Sequence, residues 1–182
     1  MNTYQDKFII IGGNSLNGCI NVQTSKNSIL PILAGCVLCD KQVVIKKVPK
    51  LLDIDNMFKI LQGIGVKIVE GDDECIIDSS NICSNTLNQD LCKTIRSSIF
   101  LLGALLARTR QAVISYPGGC DIGNRPIDLH LTGLEELGVK ILKRRSLIYC
   151  DAKDMHSGTV QLDFPSVGAT ENLMMASVFL NG

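Results

Sequence analysis

The sequence predicts an α/β chain made of repeated helix-strand-helix-strand-strand units. Three observations carry that prediction. Apolar runs at helical spacing alternate with short runs rich in Val and Ile. The segment Leu61-Gln62-Gly63-Ile64-Gly65-Val66-Lys67-Ile68 lines up with Leu134-Glu135-Glu136-Leu137-Gly138-Val139-Lys140-Ile141, so a unit recurs. Lys26 and Arg96 open two strongly apolar helical runs at equivalent places in the two units. A run that carries Leu101, Leu102, Leu105 and Leu106 must be buried on most sides. Units grouped about a threefold-like axis, helices inside and sheets outside, satisfy that need.

The elements follow in order. Residues 8–11 and 19–22 read as short strands joined by the turn Gly12-Gly13-Asn14-Ser15. Lys26 then opens a helix over residues 26–38, with Ser25 placed to offer its side-chain oxygen to the first-turn amides. Residues 43–48 form a strand, and 54–61 an amphipathic helix closed by Gly63 or Gly65. Residues 66–70 and 74–78 form a hairpin over Gly71-Asp72-Asp73. The second unit repeats this: helix 94–107, strand 112–115, helix 127–137 ended by Gly138, then strands 139–142 and 147–150. A third copy begins at 159–164 and continues into a helix over 169–180.

The chain has 182 residues, enough for one domain or slightly more, and its formal net charge is zero. No clustered basic face points to nucleic acid, and the lack of Trp argues against a base-stacking platform. Lys143-Arg144-Arg145, between two strand-like runs, reads as a solvated turn. Apolar stretches are broken well short of a membrane span, and residues 1–7 lack the features of a signal peptide. Eight cysteines scattered through apolar runs suit a reducing cytoplasm. Cys36 and Cys39 are spaced as a CxxC pair, but with no second pair and only two His they read as core packing, without metal or cofactor.

The densest chemistry lies in Tyr116-Pro117-Gly118-Gly119-Cys120-Asp121-Ile122-Gly123-Asn124-Arg125-Pro126-Ile127-Asp128-Leu129-His130. Its glycines and prolines dictate a long turn between a strand and a helix. In it sit a thiol, a guanidinium and two carboxylates. A thiol can serve as nucleophile or proton donor, and glycines beside it leave room for a substrate. An Arg offers a planar fork to phosphate or carboxylate. A surface loop with an incidental Cys has the same composition. A phosphatase loop, with Cys and Arg five residues apart around a phosphate, is set aside: the spacing is one short and Arg125 is followed by Pro126.

This turn resembles the catalytic loop of the UDP-N-acetylglucosamine 1-carboxyvinyltransferases, enolpyruvyl transferases of peptidoglycan precursor synthesis. Other stretches resemble that family in the same order. They are Thr24-Ser25-Lys26-Asn27-Ser28-Ile29-Leu30-Pro31, Val48-Pro49-Lys50-Leu51-Leu52-Asp53-Ile54-Asp55, Lys93-Thr94-Ile95-Arg96-Ser97-Ser98 and Leu162-Asp163-Phe164-Pro165-Ser166-Val167-Gly168-Ala169-Thr170. Several ordered motifs are specific where one would be weak. The resemblance implies the inside-out α/β barrel of enolpyruvyl transferases. It also implies transfer of the enolpyruvyl group of phosphoenolpyruvate to the 3′-hydroxyl of UDP-N-acetylglucosamine, with release of phosphate.

It further implies roles. Cys120 matches the general acid, able to attach covalently to phosphoenolpyruvate and to an epoxide such as fosfomycin. Lys26, Asn27 and Arg125 match phosphoenolpyruvate contacts. Arg96, Arg125, Pro126, Ile127, Asp128, Leu129, Phe164, Pro165, Ser166, Val167 and Gly168 match the nucleotide-sugar site. His130 reads alone as a structural histidine, and its neighbours in the family place it near that site. Some relatives carry Lys where this chain has Phe164. Residues 1–23 match strands that belong to the other domain of the family. Residues 24–182 match an incomplete first domain, with units at 24–80 and 92–151 and the start of a third at 159–182. The catalytic base has no match here. We therefore expect an N-terminal piece that needs the missing C-terminal domain as partner, is inactive alone, and self-associates through its unfinished third unit. Two other readings stand beside this one. One is a binding module of the same fold without catalysis. The other is the shikimate enolpyruvyl transferase, which has no equivalent loop Cys.

Overall fold

The computed structural model describes residues 7–72, 74–118 and 126–181. Within them the expected order of elements is present: α1 (Lys26–Gly35), β1 (Val43–Lys46), α2 (Leu52–Gly63), β2 (Lys67–Glu70) and β3 (Glu74–Asp78). The second unit is α3 (Gln89–Cys92), α4 (Phe100–Thr109), β4 (Gln111–Ser115), α5 (Asp128–Glu136), β5 (Lys140–Arg144) and β6 (Leu147–Asp151), followed by α6 (Val167–Ser177). Each unit has a three-stranded antiparallel sheet, ordered β1-β3-β2 in the first and β4-β6-β5 in the second. Thr86 adds a parallel bridge on Val113, where Leu87 N–H donates to Val113 O at 2.9 Å and Val113 N–H to Asn85 O at 2.9 Å. The chain is α/β, as predicted.

The repeat seen in the sequence is a repeat of geometry. Gly65 and Gly138 each follow a helix with positive φ, 101° and 87°. Val66 N–H reaches back to Leu61 O at 3.1 Å, as Val139 N–H does to Leu134 O at 3.0 Å. A Cβ on Gly65 would lie 2.6 Å from Asn81 O, and one on Gly138 would lie 2.7 Å from Asp154 O. Two constraints, a left-handed turn and a crossing backbone, therefore demand glycine at both positions.

The apolar helix α4 is buried all round, from Leu101 to Ala107, and packs against α1 and most extensively against α6. Gly103 is the point of closest approach: a Cβ there would lie 2.2 Å from Asn172 O. Helix α2 packs on β2, and α5 on β5 and α6. One continuous core runs from Ile29 through Leu101 and Leu134 to Leu173.

Several expectations need correction. Residues 8–11 and 19–22 form no strands, and Phe8, Ile9, Ile10, Ile11, Ile20 and Val22 are almost fully exposed. Two short strands have little stability without a sheet or apolar face to cover them, and no described element does so. Residues 159–164 likewise pair with none of the six strands, although Val160 and Leu162 touch the core. The helix expected at 94–107 begins two residues later, as a 3-10 turn over Arg96–Ile99 that runs on directly into α4, while α3 precedes it unforeseen. Ser25 occupies the N-cap of α1 without a side-chain cap bond; Ser28 Oγ instead donates back to Ser25 O at 3.1 Å. Cys36 lies in the core as expected, but Cys39 is exposed, because the 3-10 turn over Cys36–Leu38 ends the helix and Cys39 turns extended. The basic turn is exposed as read, with Arg145 at φ 52°.

Candidate active site

Four separated stretches meet around one cavity of about 520 Å³. Its wall is formed by Asn27 from α1, Arg96, Ser97, Ile99 and Phe100 from the turn into α4, Pro126 and His130 at α5, and Ser166, Val167, Gly168 and Glu171 at α6. A volume in this range holds a substrate-sized molecule.

Local sequence explains how each wall is held. Ser166 caps α6, its Oγ accepting from Ala169 N–H at 3.2 Å. The amides of Val167 and Gly168, in the first turn, have no acceptor within the helix, and both residues line the cavity. Such a terminus favours an anion. Arg96 begins the 3-10 turn, and its Nη2 donates to Pro126 O at 3.3 Å, tying the start of the second unit to the segment that leads into α5. A guanidinium and a helix N-terminus thus lie on one cavity.

His130 closes the inner wall at 7% exposure. Burial, with the Arg96 charge nearby, holds its imidazole down at about 4, so the ring is neutral at physiological pH. Asn172, fully buried, links His130 to α4: its Oδ1 accepts from Gly103 N–H at 2.8 Å and its Nδ2 lies 3.2 Å from His130 Nδ1.

The remaining expected residues are placed as follows. Lys26 stands at the start of α1 beside Asn27, with its Nζ 2.7 Å from Asp53 Oδ2. Its charge is therefore shared with a partner from α2, and the side chain is half exposed. Ile127 is buried and its side chain belongs to the core. Asp128 is exposed in the first turn of α5, with Leu129 half-buried beside it. Phe164 and Pro165 are exposed just ahead of α6 and are outside the cavity wall. Cys120 and Arg125 lie outside the described residues. What is described is where their loop begins. Gly118 N–H donates to Cys92 O at 3.2 Å, and a Cβ on Gly118 would fall 1.9 Å from Lys93 O. The strand that feeds the loop is thus pinned to the end of α3, at a point where only glycine fits.

Ser97, Phe100 and Glu171 line the cavity without having been singled out in the sequence. Glu171 follows Gly168 by three residues on a helix, the spacing that puts two side chains on one face, and that signal could have found it. Among the described residues no group of His, Cys, Asp and Glu is arranged to hold a metal, and no helix is long and apolar enough to cross a membrane.

The family model described as EPSP synthase (3-phosphoshikimate 1-carboxyvinyltransferase) matches residues 10–182. A UDP-N-acetylglucosamine 1-carboxyvinyltransferase 2 of Caldanaerobacter subterraneus subsp. tengcongensis is 47% identical over 97% of this chain and 42% of its own length. A UDP-N-acetylglucosamine 1-carboxyvinyltransferase 1 of Clostridium acetobutylicum is 44% identical over 97% of this chain and 43% of its own length. The chain thus spans less than half the length of these relatives. Among solved structures, the enolpyruvyl transferase NikO of Streptomyces tendae superimposes with a TM-score of 0.78 at 21% identity, over 94% of this chain and 40% of that one. EPSP synthase of Acinetobacter baumannii does so with a TM-score of 0.69 at 13% identity, over 91% and 39%. These two likenesses concern the fold. Matched by the family model along nearly its whole length, the chain belongs to the EPSP synthase (3-phosphoshikimate 1-carboxyvinyltransferase) family, and the curated relatives it resembles are UDP-N-acetylglucosamine 1-carboxyvinyltransferases.

Proposed function

We propose that this chain supplies the first-domain face of an enzyme that transfers the enolpyruvyl group of phosphoenolpyruvate to the 3′-hydroxyl of UDP-N-acetylglucosamine. One observation carries the reading. Asn27, Arg96, Pro126, Ser166, Val167 and Gly168, singled out from separate stretches of sequence, line a single cavity. The diphosphate belongs at the first turn of α6, whose free amides share the cavity with Arg96. The uridine belongs toward Asp128 and Leu129, whose carboxylate can accept from uracil N–H. Phosphoenolpyruvate belongs at the start of α1, with Lys26, Asn27 and Arg125.

The chemistry requires a proton to reach the methylene carbon of phosphoenolpyruvate as the sugar hydroxyl attacks the neighbouring carbon. Loss of phosphate and of one methyl proton then restores the vinyl group on the sugar. Cys120 is the proposed acid, and its thiolate the proposed site of covalent attachment. The base that takes the hydroxyl proton belongs to the part of the enzyme beyond this chain, so the chain alone binds weakly and does not turn over. No cofactor, metal, nucleic acid or membrane enters the scheme, and the reaction belongs to the cytoplasm.

The architecture proposed with it is the inside-out barrel, with units at 24–80 and 92–151, a third opening at 159–182, and α1, α4 and α6 as its central helices. The packing of α4 against both α1 and α6 supports it. The bare apolar residues of 7–22 support the assignment of residues 1–23 to another domain.

The test uses the full-length protein. Phosphate release from phosphoenolpyruvate should require UDP-N-acetylglucosamine and be absent with shikimate 3-phosphate. Cys120→Ser should abolish both turnover and alkylation by an epoxide such as fosfomycin. Unchanged alkylation of that variant would overturn the assignment of Cys120, and turnover with the shikimate acceptor would overturn the substrate.

A further inference from the structure

The contact between Asn172 and His130 lies behind the cavity wall and has no role in the scheme above. We infer that Asn172 is a positioning residue, which fixes His130 in the tautomer that presents Nε2–H to the diphosphate of the nucleotide sugar. This rests on the nucleotide-sugar reading of the cavity.

The argument follows from donors and acceptors. Gly103 N–H is a donor, so the Asn172 atom 2.8 Å from it is the amide oxygen. That fixes the other end of the amide, its NH2, 3.2 Å from His130 Nδ1. An NH2 donates, so Nδ1 accepts and carries no hydrogen. The ring's hydrogen is therefore on Nε2. The Nε2–Cε1 edge borders the first turn of α6: a Cβ on Gly168 would lie 3.6 Å from Cε1 and 3.7 Å from Nε2. There Nε2–H adds a neutral donor to the amides of Val167 and Gly168. Rotating the amide of Asn172 to allow the other tautomer would set its NH2 against Gly103 N–H, two donors with no acceptor between them.

The surroundings keep the ring neutral. Among the described residues, Arg96 and Glu171 share the cavity wall with His130. Asp128 lies two residues earlier on α5 and is exposed. Helix α6 carries no charged residue besides Glu171, and the charged residue of α4, Arg108, sits in its last turn. Strand β5, packed against α5, turns its Lys140 to Asp154.

In ring-nitrogen spectra of histidine-labelled full-length protein, the signals of His130 are identified by their loss in His130→Gln. In the free full-length protein, His130 should show an unprotonated Nδ1 and a protonated Nε2 throughout pH 6 to 8, and its Nε2–H signal should shift on addition of UDP-N-acetylglucosamine. Asn172→Asp replaces the donor with an acceptor. It should move a proton to Nδ1 and make nucleotide-sugar affinity pH-dependent between pH 6 and 8, up to about tenfold per pH unit, the limit for one coupled proton. Wild-type affinity should be flat in that range. A wild-type spectrum with Nδ1–H would overturn the inference, whether or not the variant folds. So would an Nε2–H signal that ignores a ligand shown to bind. Absence of binding overturns the reading of the cavity itself, and is told apart because the free-protein spectrum still reports the tautomer.

Discussion

His130 ties the interior to pH. Its folded value is near 4 against an ordinary 6.5, lowered by burial and then by Arg96. Between those values the unfolded chain binds a proton that the folded chain does not. Stability is therefore full above about pH 6.5 and falls as the pH drops toward 4, by on the order of 3 kcal/mol in all. Asp78, held low by hydrogen bonds from Ser80, and Asp154, held low by Lys140, lose their contributions mainly below about pH 4. Urea denaturation at pH 7 and pH 4.5 should show the loss, and His130→Gln should remove most of it. An undiminished slope in the variant would place the titrating group elsewhere.

The thiols divide in the same way. Burial pushes Cys36 and Cys150 up to about 12 and Cys92 to about 11, and raises Cys75 as well. Among the described residues the other three, Cys19, Cys39 and Cys83, are exposed. Mass spectrometry after brief alkylation of the folded protein should find the exposed three modified and the buried four intact. Modification of Cys36 at the rate of Cys39 would contradict the packing of α1. At this scale the sequence was legible where chemistry is local. The buried Cys36 follows from an apolar helix, whereas the exposure of Cys39 depends on where the helix ends. The partners of His130 were hidden, because Asn172 is distant in sequence and nothing in either residue's neighbourhood names the other.

Among elements, the contact of α4 with α6 is the most demanding. Gly103→Ala places a methyl 2.2 Å from Asn172 O and 2.6 Å from its Oδ1. Helix propensity alone would favour Ala by about 1 kcal/mol. The overlap with backbone of a buried helix outweighs that, and the variant should lose roughly 2 kcal/mol or more. Thermal melting reads the sign directly, and a gain in stability would mean that the two helices do not meet as described. Helices and hairpins were readable because periodicity and glycine stops are written in each segment. The strands expected at 8–11 and 19–22 had the right residues, but a strand also needs a ladder, and pairing partners are a property of the fold. The 3-10 start at Arg96–Ile99 was not readable, because helical spacing does not separate a tightened first turn from the α-helix that continues it.

For the whole molecule, two apolar surfaces stand open. One is the segment 7–22, with Phe8, Ile9, Ile10 and Leu16 bare; the other is the outer face of α6 and its end, with Met174, Val178 and Phe179 half or more exposed. Exposed apolar area of this kind drives association. Sedimentation of the 182-residue chain by itself should show concentration-dependent self-association, and a strictly monomeric species at high concentration would contradict it. The cavity was legible only because several motifs occur in family order. Residue types alone left Arg96 as the opening of an apolar helix and did not single out Ser166, since what unites them is the meeting of α1, α4, α5 and α6. The central claim is that this meeting point receives a nucleotide sugar. The most direct measurement is a crystal structure of the full-length protein with UDP-N-acetylglucosamine. The account predicts diphosphate density within hydrogen-bonding reach of the Val167 and Gly168 amides and beside Arg96. Density seated instead in the hollow on the β4-β6-β5 sheet, by Tyr149 and Lys140, would contradict it.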